Sequence, residues 1–273
     1  MTDPGAGADF VVMGIVNVTP DSFSDGGRYL DPGAAIAHGQ ALAAQGAAIL
    51  DVGGESTRPG AEAVPVEEEL RRVLPVIEGL LAAGTRAQIS IDTSKAEVAA
   101  AALDAGATIV NDVTALRAAP EIAGLVGRHG ASLCLMHMLG TPRTMQQDPR
   151  YGDVVADVRR FLEERLRFAI DNGVRQERIL LDPGIGFGKT IEHNLELLRR
   201  LPEIVAIGRP VVIGTSRKGF LGSLTGRAVP DERLAATVAT NVIAYERGAR
   251  VFRVHDVAPL VDALTVAAAT VAP

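Results

Sequence analysis

Residues Ala87–Val113 read AQISIDTSKAEVAAAALDAGATIVNDV. The stretch opens with a short, β-branched apolar run, Ala87–Asp92. It passes through an alanine-rich segment of helical period, Lys95–Ala105, stops at Gly106, and resumes as a second apolar run, Thr108–Val113. A strand, a helix and a strand joined by short turns make one parallel β-α unit. Both strands turn polar where they end, at Asp92 and at Asn111 with Asp112.

The same unit recurs in both directions. Strand-like runs are Val11–Val18, Ala48–Gly53, Ala87–Asp92, Thr108–Val113, Ser132–His137, Arg178–Asp182, Pro210–Gly214 and Arg250–His255. Helical segments follow them at Pro32–Gln45, Val66–Ala83, Lys95–Ala105, Pro120–Arg128, Val154–Asn172, Ile191–Ile204, Asp231–Arg247 and Ala258–Thr270. Gly46, Gly84, Gly106, Gly130, Gly173 and Gly248 stand at helix ends, where a left-handed cap favours glycine. Eight such units in 273 residues predict an α/β fold, a (β/α)8 TIM barrel, as a single domain over residues 10–273 behind a short loose arm, residues 1–9. The rival is an open doubly wound sheet. No G-x-G-x-x-G follows the first strand, where a dinucleotide fold carries it. The G-x-G-x-G at Gly184–Gly188 is expected to be a flexible loop.

Composition narrows the function. Apolar residues are 47% and charged residues 22%, so the chain packs a core. A net charge of −6 argues against nucleic-acid binding, which needs a basic face. No apolar run has membrane-spanning length, and the N-terminus lacks the pattern of a signal peptide. The single cysteine, Cys134, fits a reducing compartment, so a cytoplasmic location is expected, and its mid-strand position predicts a core thiol.

The polar residues fall where a barrel builds its site. Asn17, Asp51, Asp92, Asn111 with Asp112, His137, Asp182, Ser216 to Lys218, and Arg253 with His255 sit at strand C-termini, which converge on one mouth. Arg253 and His255 are two apart and share a strand face, as a phosphate site near the last strands requires; the bland alternative pairs Arg253 with the adjacent Asp256. Asp92, Asn111 and Asp182 bring two carboxylates and an amide from three strands. Such a set suits the flat donor–acceptor edge of a 2-amino-4-oxo heterocycle. Asp51 and Asp112 are expected to cap local backbone. Two Gly-rich loops, Asn17–Gly27 and Gly53–Gly60, are placed as mobile covers over the mouth. His38, His129 and His193 make no H-E-x-x-H pair and are expected on the surface or at helix ends; Glu67–Glu69 is expected only to favour a helix N-terminus.

Taken together these segments resemble the dihydropteroate synthase family. They are GIVNVTPDSFSDGG from Gly14, DVGGESTRPGAEAV from Asp51, SIDT from Ser90, NDV from Asn111, LMHMLGTPRTMQ from Leu135, LDPGIGFGKT from Leu181, GTSRKGFLG from Gly214 and RVHDV from Arg253. Their order and spacing cover nearly the whole chain; the one departure is Leu139, where a polar residue is expected. The resemblance implies a (β/α)8 barrel, a homodimer and a transferase of folate biosynthesis that sulfonamides inhibit. It joins 6-hydroxymethyl-7,8-dihydropterin diphosphate to 4-aminobenzoate, giving 7,8-dihydropteroate and pyrophosphate.

It also implies roles. Asp92, Asn111, Asp182 and Lys218 hold the pterin, with Val113 and Met136 as apolar walls. Asn17 ligates Mg²⁺, and Arg253 with His255 holds the diphosphate. Phe23, Thr57, Arg58, Pro59, Phe187 and Ser216 shape the 4-aminobenzoate site, and Asp25 orders the first loop over the leaving group. Asp25, Asp92, Lys218, Arg253 and His255 are the residues expected to act in catalysis. A pterin-dependent methyltransferase shares Asp92, Asn111 and Asp182 but does not need Arg253, His255 or the Ser216–Lys218 segment. A non-catalytic pterin-binding relative is expected to lack Phe23, Asp25 or Arg58.

Overall fold

The computed structural model describes residues 9–19, 31–57 and 60–271. Eight parallel strands run β1 (Val11–Asn17), β2 (Ile49–Gly53), β3 (Gln88–Asp92), β4 (Ile109–Asp112), β5 (Ser132–Met136), β6 (Ile179–Asp182), β7 (Val212–Ile213) and β8 (Val251–Val254). Their order is β6-β5-β4-β3-β2-β1-β8-β7. The two ends meet through a single bridge, Leu181 with Val211, and a bond from Leu181 N–H to Pro210 C=O at 3.0 Å. The sheet therefore closes as the expected barrel, with its weakest seam at β6–β7.

Helices α1 (Pro32–Ala44), α2 (Val66–Ala82), α3 (Ala96–Asp104), α4 (Ile122–His129) and α5 (Val154–Asp171) match the sequence expectation within two residues per end. The sixth helical segment is two helices, α6 (Ile191–Arg199) and α7 (Leu201–Val205), broken at Arg200 with Pro202 just inside the second. A ring in place of the Pro202 N–H cannot continue the α6 ladder. A short helix not anticipated, α8 (Gly219–Thr225), precedes α9 (Leu234–Glu246) and α10 (Val257–Val271). The glycines placed at helix ends all have positive φ.

Residues 1–8 of the expected loose arm lie outside the described residues. Asp9, counted with it, is anchored: it accepts from Tyr245 Oη at 2.5 Å and pairs with Arg250 at 3.2 Å. Among the described residues no helix is long and apolar enough to cross a membrane.

The packing separates two faces of the barrel. Val12, Val16, Leu50, Val52, Ile89, Ile91, Leu133, Leu135, Phe252 and Val254 point outward, into the core shared with the helices. Met13, Ile49, Ile109, Cys134, Leu180, Val212 and Val251 form a separate apolar cluster inside the barrel. This plug closes the bottom and explains why Cys134 is an inert core thiol, its pKa raised well above the ordinary value by burial. Strand residues alternate faces, so the next inward position lies two residues on. Counting two from each plug residue gives Ile15, Asp51, Asn111, Met136, Asp182, Gly214 and Arg253. The polar site is thus the second layer of the barrel interior, resting on an apolar floor.

Candidate active site

Arg253 is the hub of that second layer. Its Nε donates to Asp51 Oδ2 at 2.6 Å and its Nη2 to Asp92 Oδ2 at 2.7 Å. Asn111 Nδ2 donates to the same Asp51 oxygen at 3.0 Å. The partners of Asp51 are these distant side chains rather than local backbone, so it is no local cap, contrary to expectation; it couples β2 to β4 and β8 across the barrel. Its Oδ1, and the Oγ of the neighbouring Ser90, are buried without a hydrogen-bond partner among the described residues. Asp112 does cap its own loop, accepting from Thr114 N–H and Leu116 N–H at 2.7 Å each.

Asp256 is not Arg253's partner. It is gripped by Arg217, at 3.0 Å from Nε and 2.7 Å from Nη2. That fork holds Arg217 at φ 58°, and the strained turn delivers Lys218 to the mouth as the residue capping α8.

The second wall comes from the loop after β6. Asp182 Oδ1 accepts the Gly184 N–H at 2.6 Å. Lys218 Nζ donates to the Ile185 carbonyl and sits 4.3 Å from the centre of the Phe187 ring. Phe187 packs with Val113, Met136, Met138 and Met145 in a small apolar cluster beside the acids. The expected pterin walls, Val113 and Met136, are therefore together; Met138, which the sequence offers with Met136 as pocket lining or core, stands beside them, and only Met145 gave no signal.

The glycine loop is held, not loose. Gly186 N–H donates to Asn194 Oδ1 at 2.7 Å, and the carbonyls of Gly186, Phe187 and Gly188 accept from Gln146, Lys189 and Tyr151 at 2.9, 3.0 and 2.7 Å. Gly184 has φ 66°, and a methyl there would lie 1.8 Å from the His137 carbonyl. Close backbone approach, not flexibility, requires this glycine.

His137 faces away from the mouth, on the odd side of β5's inward residues. Its ring packs edge-on to Phe161 and its Nδ1 meets Lys189 Nζ at 2.9 Å. Burial, then the charges of Lys189 and Arg117, push its pKa down to about 2, so it is a neutral strut of the loop. His129 and His193 serve at helix ends, as expected: His129 bonds Leu125 and Asp104, and His193 completes a capping box with Thr190.

His255 lies two residues above Arg253 on the same face. Ser216 Oγ accepts the His255 backbone N–H at 3.2 Å and lies 2.9 Å from its Nδ1. The serine hydroxyl therefore fixes the orientation of the ring. Ser216, expected in the 4-aminobenzoate site, thus braces the histidine. Asn17 ends β1, paired in register with Gly53, which is paired with Asp92. A methyl on Gly53 would lie 3.6 Å from Asn17 Oδ1 and 3.7 Å from Asp92 Oδ2, so the glycine leaves open the space between two oxygens. Thr57, four residues beyond the end of β2, is half-buried. Phe23, Asp25, Arg58 and Pro59 lie outside the described residues.

Burial sets the electrostatics. It raises the pKa of Asp92 to about 7, with Arg253 opposing, and raises that of Asp182, with Lys218 opposing. It lowers Lys218 to about 7, with Asp182 opposing. For Arg253 burial works against the charge, but Asp51 and Asp92 more than offset it and the net shift is upward. The site holds one fixed cation among carboxylates, with two groups that change charge near neutrality. Such perturbed groups, gathered in a barrel mouth, mark a working site.

Comparison with known proteins agrees. The family model described as "Pterin binding enzyme" matches residues 13–255. The chain is 47% identical over 259 residues to the dihydropteroate synthase of Escherichia coli (strain K12), covering 95% of this chain and 91% of that one. It is similar to the solved Xanthomonas albilineans dihydropteroate synthase with 4-aminobenzoic acid, at 53% identity and TM-score 0.90, covering 97% of this chain and 94% of that one. The Yersinia pestis dihydropteroate synthase in a sulfonamide drug complex aligns at 43% identity and TM-score 0.91, covering 96% and 94%.

Proposed function

The chain belongs to the pterin-binding enzyme family, among the dihydropteroate synthases, and from that premise we propose how its barrel mouth performs the family's reaction. The enzyme is a transferase of folate biosynthesis that condenses 6-hydroxymethyl-7,8-dihydropterin diphosphate with 4-aminobenzoate. The observation that supports this most is one buried cluster: Arg253 on Asp51 and Asp92, Asn111 on the same Asp51 oxygen, and Asp182 with Lys218 as its counter-charge.

In this reading the Asp182 carboxylate accepts the paired N–H donors of the pterin edge, as a carboxylate accepts a guanidinium. Asn111 both donates and accepts, and Lys218 donates to the ring's oxygen side. Val113, Met136 and Phe187 cover the ring faces. Arg253 uses two of its five N–H donors on Asp51 and Asp92 and keeps others for an anion. His255, oriented by Ser216, adds a second contact to the diphosphate. As that group departs, both offset charge building on oxygen, and Asp92 stabilises the cation left on the pterin methylene. The neutral aryl amine then attacks without a strong base: its nitrogen bonds the methylene that the diphosphate oxygen has left, and the ammonium so formed loses one proton to solvent. Thr57, with Arg58, Pro59 and Phe23, shapes its site; Asp25 helps order the first loop. Sulfonamides resemble 4-aminobenzoate, and the drug complex of the Y. pestis relative supports the same site as their target.

The cofactor we propose is Mg²⁺. Asn17 Oδ1 would hold it, close to Asp92, and hard oxygens are what this ion prefers. Among the described residues no group of three or more His, Cys, Asp or Glu is arranged to hold a metal, so diphosphate oxygens and water would complete its shell. When bound, Mg²⁺ supplies charge neutralisation to the leaving diphosphate.

The assignment is tested by pH. 6-Hydroxymethylpterin carries no phosphate, and once the ring's own N–H ionisation is measured in free solution and subtracted, its affinity reports the protein. A raised carboxyl pKa means Asp92 gains a proton as pH falls through about 7 and stops acting as an anion. A lowered amine pKa means Lys218 loses its charge as pH rises through about 7. Calorimetric affinity is therefore expected to peak near neutrality and to fall on both sides. An affinity that stays flat between about pH 6 and pH 8 contradicts the roles given to Asp92 and Lys218.

We also propose a homodimer and a cytoplasmic location. α9 and α10 pack together, and their outer faces carry Ala235, Ala239, Ile243, Val266 and Ala269 exposed, with Ile243 39% and Val266 67% accessible. A helix apolar on its outer face as well as its inner one belongs inside a larger assembly. Sedimentation equilibrium is expected to give twice the chain mass, and Val266→Asp to give the monomer. A wild-type monomer at micromolar concentration rejects the proposal. The single buried cysteine supports a reducing compartment.

A further inference from the structure

Three charges meet beside the second loop, and the reaction as described uses none of them. Lys95 Nζ donates to Glu55 Oε2 at 2.6 Å and to Glu69 Oε2. Glu55 belongs to the loop after β2, Glu69 to the first turn of α2, and Lys95 to the start of α3, three residues beyond Asp92. The Glu69 side chain is wholly buried, and those of Lys95 and Glu55 are each 21% exposed. The acidic opening of α2 therefore does more than favour a helix N-terminus.

Glu55 has a second bond. Its Oε1 accepts the backbone N–H of Val64 at 2.9 Å, nine residues along the chain. One carboxylate thus holds both ends of the 55–64 segment and ties it to Lys95. The base of the loop is seated as well: the Gly54 carbonyl accepts from Arg72 Nη1 at 2.9 Å, and a methyl on Gly54 would lie 2.8 Å from Val73 Cγ1 and 3.0 Å from Glu69 Cγ. Charge-assisted bonds largely out of water are the strong ones. They cross from loop to helix to strand end, so they fix where Thr57 stands relative to Asp92.

We infer that Lys95 and Glu55 are positioning residues for the 4-aminobenzoate side of the reaction, holding the loop that carries Thr57 in register with the pterin site. The inference rests on the functional reading above and adds to it a specific division of labour. The pterin pocket is built on strand ends and needs no such clasp; the arylamine site, built on the loop, does.

The test uses the full-length enzyme with each substrate varied in turn, together with a thermal melt and calorimetric binding of 6-hydroxymethylpterin. Glu55→Gln keeps an acceptor for Val64 but weakens the bond to Lys95. It is expected to raise the KM for 4-aminobenzoate on the order of tenfold, with pterin affinity within about twofold of wild type. Lys95→Met strands the buried Glu69 carboxylate, so it is paired with Glu69→Gln to keep the fold; the double variant is expected to show the same selective defect, and Lys95→Arg a smaller one. A 4-aminobenzoate KM unchanged in Glu55→Gln protein of normal melting temperature overturns the inference. So does an equal loss for both substrates, which marks the cluster as structural. Wild-type protein that binds no pterin instead overturns the assignment of the site, and the two failures are distinct.

Discussion

Asp182→Ala is expected to lose pterin binding. The wild-type carboxylate is 6% exposed; its Oδ1 accepts the Gly184 N–H, each oxygen keeps a lone pair for one of the pterin's two donors, and Lys218 is its counter-charge. Removing it leaves the pterin's donors without acceptors in a buried site, at about 1–3 kcal/mol for each unsatisfied group. Two such groups, about 2–6 kcal/mol, amount to roughly 30-fold to 2 × 10⁴-fold in Kd. It also strips Lys218 of the charge that keeps its proton. Asp182→Asn is the cleaner variant: its amide oxygen still accepts from Gly184, so the loop stays in place, yet one inward acceptor becomes a donor. Calorimetry is expected to show near-complete loss for both variants with a normal fold in the second. Wild-type affinity in Asp182→Asn would remove the residue from the pterin site.

The second large effect belongs to Arg253. Sequence alone suggests that losing Arg253 or His255 weakens the diphosphate substrate and spares a phosphate-free pterin. The structure separates the two. Arg253→Met strands Asp51 and Asp92 in the barrel interior with no cation between them. Breaking a buried pair costs about 3–5 kcal/mol, here shared between stability and binding. The variant is expected to melt lower and to lose affinity for the pterin with and without its diphosphate. Adding Asp51→Asn should recover part of the stability, and lysine should not replace the arginine, because its single ammonium cannot bridge two carboxylates as the fork does. His255→Ala, at a ring that Ser216 braces, should weaken the diphosphate substrate selectively. Arg253→Met protein that melts normally and loses only the diphosphate ligand contradicts the hub role.

These contrasts show what the chain makes legible. Strand ends were readable because apolar runs stop abruptly at Asn17, Asp92, Asn111 and Asp182. Which face those residues take was not. Strands covered on both sides are apolar throughout, so ILDVG gives no sign that Asp51 points inward, nor SLCLMH that His137 points outward. The inward set emerges only from the plug of Met13, Ile49, Ile109, Cys134 and Leu180 beneath it. Glu69 looked like a surface helix acid because its partner Lys95 is 26 residues away. The Gly184–Gly188 loop looked mobile because its restraints, from Gln146 to Lys218, are long-range side chains. Pro202 was the readable sign of the break between α6 and α7; α8 carries only seven residues and no helical period long enough to show.

One measurement tests the central claim most directly: that this barrel mouth joins a pterin diphosphate to an arylamine. Pyrophosphate release is followed with 6-hydroxymethyl-7,8-dihydropterin diphosphate, 4-aminobenzoate and Mg²⁺, alongside chromatographic quantitation of 7,8-dihydropteroate. The account predicts one pyrophosphate for each dihydropteroate formed, at a rate that depends on both substrates and is lost in Asp182→Asn. Absence of release with both substrates present, or release unmatched by dihydropteroate, contradicts it.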